Sequence, residues 1–395
     1  MRVTLVDPGC QVPLYDSALA EALAEAGHQV RLATAPLLAY DLPATPSRDP
    51  ERFDFGRLLA RWPSAARHRT ARRLLRAAGY AREWRALDAT LAAGDVVHLQ
   101  WSLAPPLEAR ALRALARRGV PGVLTVHNVL PHEARPWHRP LLAGLYGAAG
   151  ALVVHSEAAR RRLLAVAPDV APAAVHAISM APLPLPATTA DRSAARRRLG
   201  LPAGAPLALF FGHIRPYKGL DGLLRAWPDV ARAVPEAVLV VAGAVRGGSR
   251  AAARLSAACR AAGALARLGI VSSPDAGDLF VAADAIVMPY RAVDDSAVLQ
   301  AARGHGRAVV ATRVGGLPEA LAPGGGRLVP PDDPAALSAA LAAVLGDPAE
   351  RAAHEAAARA AAAAWSWSDV AAATGRAYEA AALALSRAER IGGER

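Results

Sequence analysis

Residues 207–220 read LALFFGHIRPYKGL, and this stretch holds Lys218, the one lysine of the chain. Leu207–Phe211 is apolar, short and rich enough in bulky side chains for a buried β-strand. It runs into Gly212, which permits a tight turn, and then into Arg215 and Lys218, three residues apart. The sequence contains 46 Lys+Arg, so arginine supplies all but one of these cations. A slim ammonium differs from a planar guanidinium fork, and a site beside crowded anionic oxygens distinguishes the two. A lone lysine on a surface turn is the plain alternative.

Working outward, further short apolar runs at Ala237–Ala242, Ala285–Met288 and Ala308–Ala311 predict strands separated by helices. Residues 181–206 are linker-like: prolines come first, then a short helix carrying Arg196–Arg198. Before them lies a similar series. Val3–Val6 ends at Asp7-Pro8-Gly9, a helix is predicted from about Asp16 to Gly27, and Gln29–Ala33 follows as a second strand. Strands at Val96–Gln100, Gly122–Val126 and Ala151–His155 complete the first half, with His98 alternating into the core. The opening residues read as a strand rather than a signal peptide. The fold class is therefore α/β, with two Rossmann-like domains facing across a cleft. The expected boundaries are 1–185 and 186–366, with a last helix, about 367–395, crossing back onto the first. The first turn lacks Gly-x-Gly-x-x-Gly, which removes support for a dinucleotide-dependent dehydrogenase.

Three segments of the second half are expected at one pole of its sheet. One is Gly212–Gly219. The second is Asp294-Asp295-Ser296-Ala297-Val298-Leu299, where a helix starting near Ser296 aims free N–H groups at an anion. The third is Val314–Glu319, a Gly-Gly turn entering a helix. Each alone reads equally well as an ordinary connection. In the first half, His127-Asn128 sits just past a strand, where parallel α/β folds gather ligands.

Segment 210–228, Ala282–Tyr290, Gly306–Glu319 (GRAVVATRVGGLPE), His155-Ser156-Glu157, Gly326–Pro331 and Asp333–Leu345 together resemble the family 4 retaining glycosyltransferases of the GT-B fold. That resemblance implies transfer of a sugar from a nucleotide-diphosphate donor, UDP- or GDP-linked, to a hydroxyl acceptor that is lipid-linked or a small natural product. The sequence has no Asp-x-Asp metal motif, and transfer without a metal or other cofactor fits the Arg215/Lys218 pair; the resemblance implies retention. It implies that Gly212, Arg215, Lys218, Val271, Ser272, Asp294, Asp295, Ser296, Ala297, Val298, Leu299 and Glu319 bind the donor. Arg215 and Lys218 would stabilise the leaving diphosphate, with His127 near the sugar as the third catalytic position. Gly9, Tyr15 and Asn128 fall on the acceptor side. The sequence departs from the family at Val293 and Ala301, where most members carry glutamates. Asp294 and Asp295 stand beside the first. The departure keeps a second reading open, a non-catalytic sugar-nucleotide-binding or scaffold subunit of a glycosylation system.

At 395 residues with a net charge of +12, the chain suits two domains and anionic partners. Arg69, Arg72, Arg73 and Arg76 follow i, i+3, i+4, i+7 spacing. They predict a basic helix face, for anionic lipid or simply for solvent. No specific nucleic-acid partner is expected. Cys10 and Cys259 have no metal or disulfide spacing. The expected location is cytoplasmic, peripheral at the inner face of the cell membrane.

Overall fold

A computed structural model describes residues 1–35, 51–54, 69–183 and 185–393. It divides into two compact units. Unit 1 holds the described residues up to Ser179 and those from Trp367 onward; unit 2 holds Met180–Ser366.

Unit 1 is built on β1 (Arg2–Asp7), β2 (Gln29–Thr34), β3 (Glu51–Asp54), β4 (Val96–Leu99), β5 (Gly122–Thr125), β6 (Ala151–Val154) and β7 (Val175–Ala177). All pair in parallel, in the order β3-β2-β1-β4-β5-β6-β7. Helices α1 (Pro13–Glu25), α2 (Arg69–Asp88), α3 (Pro105–Ala116), α4 (His138–Tyr146) and α5 (Glu157–Val166) connect them. The first helix begins three residues before the expected Asp16, because Pro13 occupies the first turn, where its fixed φ suits a helix start. Arg69, Arg72, Arg73 and Arg76 lie along α2, and their side chains are outside the described residues.

Unit 2 contains β8 (Leu207–Phe211), β9 (Val238–Gly243), β10 (Leu265–Leu268), β11 (Ala285–Met288), β12 (Ala308–Thr312) and β13 (Gly326–Val329), again all parallel. Their order, β10-β9-β8-β11-β12-β13, repeats the 3-2-1-4-5-6 order of the first six strands of unit 1. The helices are α6 (Arg192–Arg198), α7 (Leu220–Ala233), α8 (Gly248–Ala261), α9 (Ser273–Ala282), α10 (Ala297–Gly304), α11 (Leu317–Leu321), α12 (Pro334–Gly346) and α13 (Pro348–Ala363). The last helix, α14 (Trp367–Gly393), packs on α1, β5 and β6 of unit 1.

Strand β11 shows why the sheet of unit 2 is covered on both faces. Ile286 and Met288 enter one apolar cluster, while Ala285 and Val287 enter another. Alternate side chains of a strand point to opposite faces, so a strand apolar at every position demands helices on both. The linker-like stretch is not a loose tether. Leu183 N–H donates to Gln300 O, and Thr188 N–H donates 2.7 Å to Asp278. Arg196 is buried and bonded to Asp284 and to three backbone carbonyls, which ties α6 to the sheet base. In unit 1, His98 is fully buried as expected, between Thr125 Oγ1 at 2.7 Å and Tyr378 Oη at 2.8 Å.

Candidate functional site

In both units strand order reverses direction between the first and fourth strands, and ligands of such sheets collect outside the carboxyl ends there. In unit 2 these are the ends of β8 and β11. Two glycines bring the loops at this pole together. Gly219 has φ 67°, and a Cβ there would stand 1.9 Å from Pro289 O. Gly315 has φ 54°, and its Cβ would stand 1.5 Å from Val293 O. Gly316 N–H also donates 3.2 Å to Asp294 O. The loops after β8, β11 and β12 thus meet at backbone distance, which only glycine allows. Arg291 fastens the same assembly. Its guanidinium donates to Pro216 O, to both oxygens of Asp221 and to Asp332, at 2.7–2.8 Å.

Lys218 is buried inside this assembly, its Nζ 5.3 Å from the Tyr290 ring centre. No carboxylate among the described residues pairs with it. Burial pulls its ammonium below the usual lysine range. A Cβ on Gly212 would lie 2.8 Å from Lys218 Nζ and 3.7 Å from Val298 Cγ2, so the amine and the first turn of α10 flank one point above Gly212. Arg215 precedes the 3₁₀ turn Pro216–Lys218, and its guanidinium has no acceptor among the described residues. His213 stands nearby; partial desolvation, then the charges of Lys218 and Arg215, lower its pKa. Ser296 occupies the N-cap position of α10 without a side-chain cap bond, and the amides of Ala297 and Val298 have no acceptor among the described residues. Two cations and two free amides therefore gather at one pole, an arrangement that attracts a diphosphate.

The remaining positions sort as follows. Leu299 is core, and its amide already donates to Ser296 O. Asp294 is buried, with its backbone on Gly316. Asp295 Oδ1 accepts from the Ser296 amide. Ser272 caps α9 by accepting from Asp275 N–H, with Val271 half-buried beside it. Glu319 is exposed in α11. Val293 and Ala301 both lie in the apolar cluster of unit 2.

The pole of unit 1 is aromatic at its centre. His127 follows β5, and Tyr15 meets its ring edge-on at 5.0 Å while Trp101 stacks at 5.9 Å. His155 Nε2 lies 3.1 Å from His127 Nδ1, and His155 Nδ1 lies 3.0 Å from Ile178 O. Burial, then His155 and His98, push the His127 imidazole well below its usual range. Gly9 sits in the turn after β1, where Asp7 accepts from the amides of Gly9, Gln11 and Val12. Asn128 is half-buried beside His127. Gln100, just past β4, is buried with both amide atoms unpartnered among the described residues. The sequence reading missed Arg291 and the pairing of His127 with His155. Both follow strand ends, and strand-end position is the signal that finds them.

Residues 205–347 match the family model described as glycosyl transferases group 1, and residues 17–180 match glycosyltransferase family 4. A D-inositol 3-phosphate glycosyltransferase of Catenulispora acidiphila is 32% identical over 296 residues, covering 70% of this chain and 69% of that protein. The chain belongs to the family 4 glycosyltransferases. A GDP-mannose-dependent monoacylated alpha-(1-6)-phosphatidylinositol monomannoside mannosyltransferase of Corynebacterium glutamicum is 34% identical over 193 residues, 46% of this chain and 49% of that protein. Against the first curated relatives of this glycosyltransferase chain, the match spans about half their length. Sucrose-phosphate synthase from Thermosynechococcus elongatus superposes with a TM-score of 0.73 at 21% identity, covering 96% of this chain and 98% of that one. That likeness establishes the GT-B fold.

Proposed function

We propose that this glycosyltransferase chain moves a sugar from a nucleotide-diphosphate donor to a hydroxyl acceptor, with retention and without a metal. The observation that carries the reading is the pairing of Lys218 and Arg215 with the free first-turn amides of α10. As the anomeric bond breaks, charge develops on the leaving diphosphate. Preorganised cations and amides stabilise that charge without reorganisation, commonly by ~3–4 kcal/mol per key donor. Metal independence rests on these protein groups supplying the positive charge. The donor-side roles of Gly212, Ser296, Ala297 and Val298 belong to the same reading, as do those of Val271, Ser272, Asp294, Asp295 and Glu319.

On unit 1, His127 is the catalytic position near the sugar, and Asn128, Tyr15 and Gly9 are the acceptor-side groups. Relatives named as a D-inositol 3-phosphate glycosyltransferase and a phosphatidylinositol monomannoside mannosyltransferase support a polyol acceptor here, free or lipid-linked. Contact with anionic lipid through Arg69, Arg72, Arg73 and Arg76 rests on their sequence spacing. Among the described residues no helix is long and apolar enough to cross a membrane. A second reading, donor binding without turnover, is favoured by one observation: Val293 and Ala301, where the sequence resemblance leads one to expect glutamates, are buried apolar residues.

The test is a thermal-shift panel of UDP-, GDP-, ADP- and TDP-sugars, since a ligand selective for the native state raises the melting temperature. Incubation of the stabilising donor with inositol, inositol phosphate and phosphatidylinositol acceptors follows, with and without a chelator. Product with the donor's anomeric configuration, formed in chelator, supports the proposal. A donor that binds but is never transferred supports the second reading. No stabilisation by any donor and no product would overturn both.

A further inference from the structure

The contact between His127 and His155 joins residues 28 apart through the β5–β6 pairing. Thr125 is the register partner of Val153, so two residues further on His127 stands opposite His155. His155 is buried, and its Nδ1 faces the Ile178 carbonyl at 3.0 Å. A backbone carbonyl can only accept, so His155 Nδ1 carries a proton. Among the described residues neither ring pairs with a carboxylate, and a buried charge without a partner is costly. In a neutral imidazole that carries its proton on Nδ1, Nε2 is a lone pair, which is the state this geometry assigns to His155. His127 Nδ1, 3.1 Å away, must then be the donor. The order of protons runs from His127 Nδ1–H to His155 Nε2, and from His155 Nδ1–H to Ile178 O. It leaves His127 Nε2 as an acceptor, buried and without a donor among the described residues.

We propose that His155 is a positioning residue that locks His127 in its Nδ1–H tautomer, so that His127 meets its ligand as a hydrogen-bond acceptor. The packed rings of Tyr15 and Trp101 hold the imidazole plane, and His155 sets which of its nitrogens bears the proton. The group recognised is then a donor such as a sugar or polyol hydroxyl, and a carbonyl or phosphate oxygen is disfavoured. His127 Nε2 is shut from solvent, so such a hydroxyl reaches it by shifting a neighbouring side chain. The nature of the ligand rests on the transferase reading. The tautomer does not.

The test uses the full chain labelled with ¹⁵N-histidine and long-range ¹H–¹⁵N correlation spectra at neutral pH, without ligand. In the unsubstituted protein His127 is expected with Nδ1 protonated and Nε2 bare. His155→Leu removes the acceptor, and His127 is expected to populate the other tautomer. His155→Gln retains one donor and one acceptor at similar reach and is expected to restore the original pattern. If donor-sugar transfer is observed, His155→Leu should lower kcat/KM at least about tenfold, by analogy with the outer hydrogen-bond partners of metal-ligating histidines. His155→Gln should recover most of it. A protonated Nε2 on His127 in the unsubstituted protein overturns the proposal. An unchanged tautomer in a folded His155→Leu protein does so too. Absence of transfer with the expected tautomer pattern leaves this proposal standing and counts against the transferase reading instead.

Discussion

Gly219 and Pro289 approach so closely that a methyl group on Gly219 would stand 1.9 Å from the Pro289 carbonyl oxygen. This contact sets the spacing between the loop that carries Lys218 and the loop that leads to Ser296. Gly219→Ala is therefore expected to fail twice, by left-handed backbone strain and by collision with main chain. The strain alone costs about 1–2 kcal/mol, and the collision adds to it. Urea unfolding should show a lower midpoint, and donor binding should weaken beyond what stability explains. An unchanged midpoint with intact donor binding would dismiss the contact as a constraint.

Lys218 and Arg215 separate function from stability. Lys218→Met and Arg215→Ala are each expected to lower transfer by about 100- to 1000-fold, the scale for removing one preorganised donor. Lys218→Met should leave the fold intact, because it replaces a buried amine that no carboxylate pairs with by an apolar side chain of similar length. The pH profile checks the same point. Burial lowers the folded-state pKa of Lys218, so the unfolded chain binds more protons in the interval up to the ordinary lysine value near ~10.4. Stability there rises with pH, and Lys218→Met should remove that rise. Near-normal turnover in both variants would refute the phosphate assignment.

Strands buried on both faces, such as β8 and β11, were legible because their apolar runs have one physical explanation, and the partly exposed β2 was legible from its place in a β-α-β opening. Strands β10 and β13 were not legible. Leu265–Leu268 and Gly326–Val329 are sheet edges with half-exposed, arginine-bearing sequences. Site positions were legible where a glycine or a cation followed a strand, as at Gly212 and Lys218. Relationships between strands were hidden. The Arg291 clasp on Asp221 depends on side-chain reach across 70 positions, and the His127–His155 pair depends on a register that spacing alone does not supply. Position along one strand is local chemistry, whereas pairing between strands is set by the whole sheet.

His98 gives a pH prediction for unit 1. Burial, with His155 adding, pushes its imidazole down to about 3, and His127 is lowered in the same direction. The unfolded chain takes up protons on these rings near ~6.5, which the folded chain resists. Stability conferred by the neutral rings is complete above that value and declines as pH falls toward the folded value. Denaturation midpoints should drop between about pH 6.5 and pH 3, and more shallowly in His98→Gln. Because His98 also bonds Tyr378 of α14, that variant should be less stable at neutral pH. A profile of unchanged slope would show that His98 is not a source of the acid sensitivity.

Val293 and Ala301 pose the sharpest question about catalysis, since the resemblance read from the sequence leads one to expect a glutamate at each position. The structure argues otherwise. Both side chains are buried in the apolar cluster of unit 2, and the Val293 carbonyl lies against Gly315. A glutamate at 293 must bury a charge among Leu299, Leu317 and their neighbours, or swing out and break the Gly315 contact. Val293→Glu and Ala301→Glu are each expected to lose at least about 2 kcal/mol of stability, the lower end of the cost of an unpaired buried polar group. Donor affinity should fall with the loop geometry. Urea titration and a thermal-shift assay with the best donor report both effects. A stable Val293→Glu protein with tighter donor binding would show instead that the pocket accepts the carboxylate, and that its absence limits the reaction in this chain.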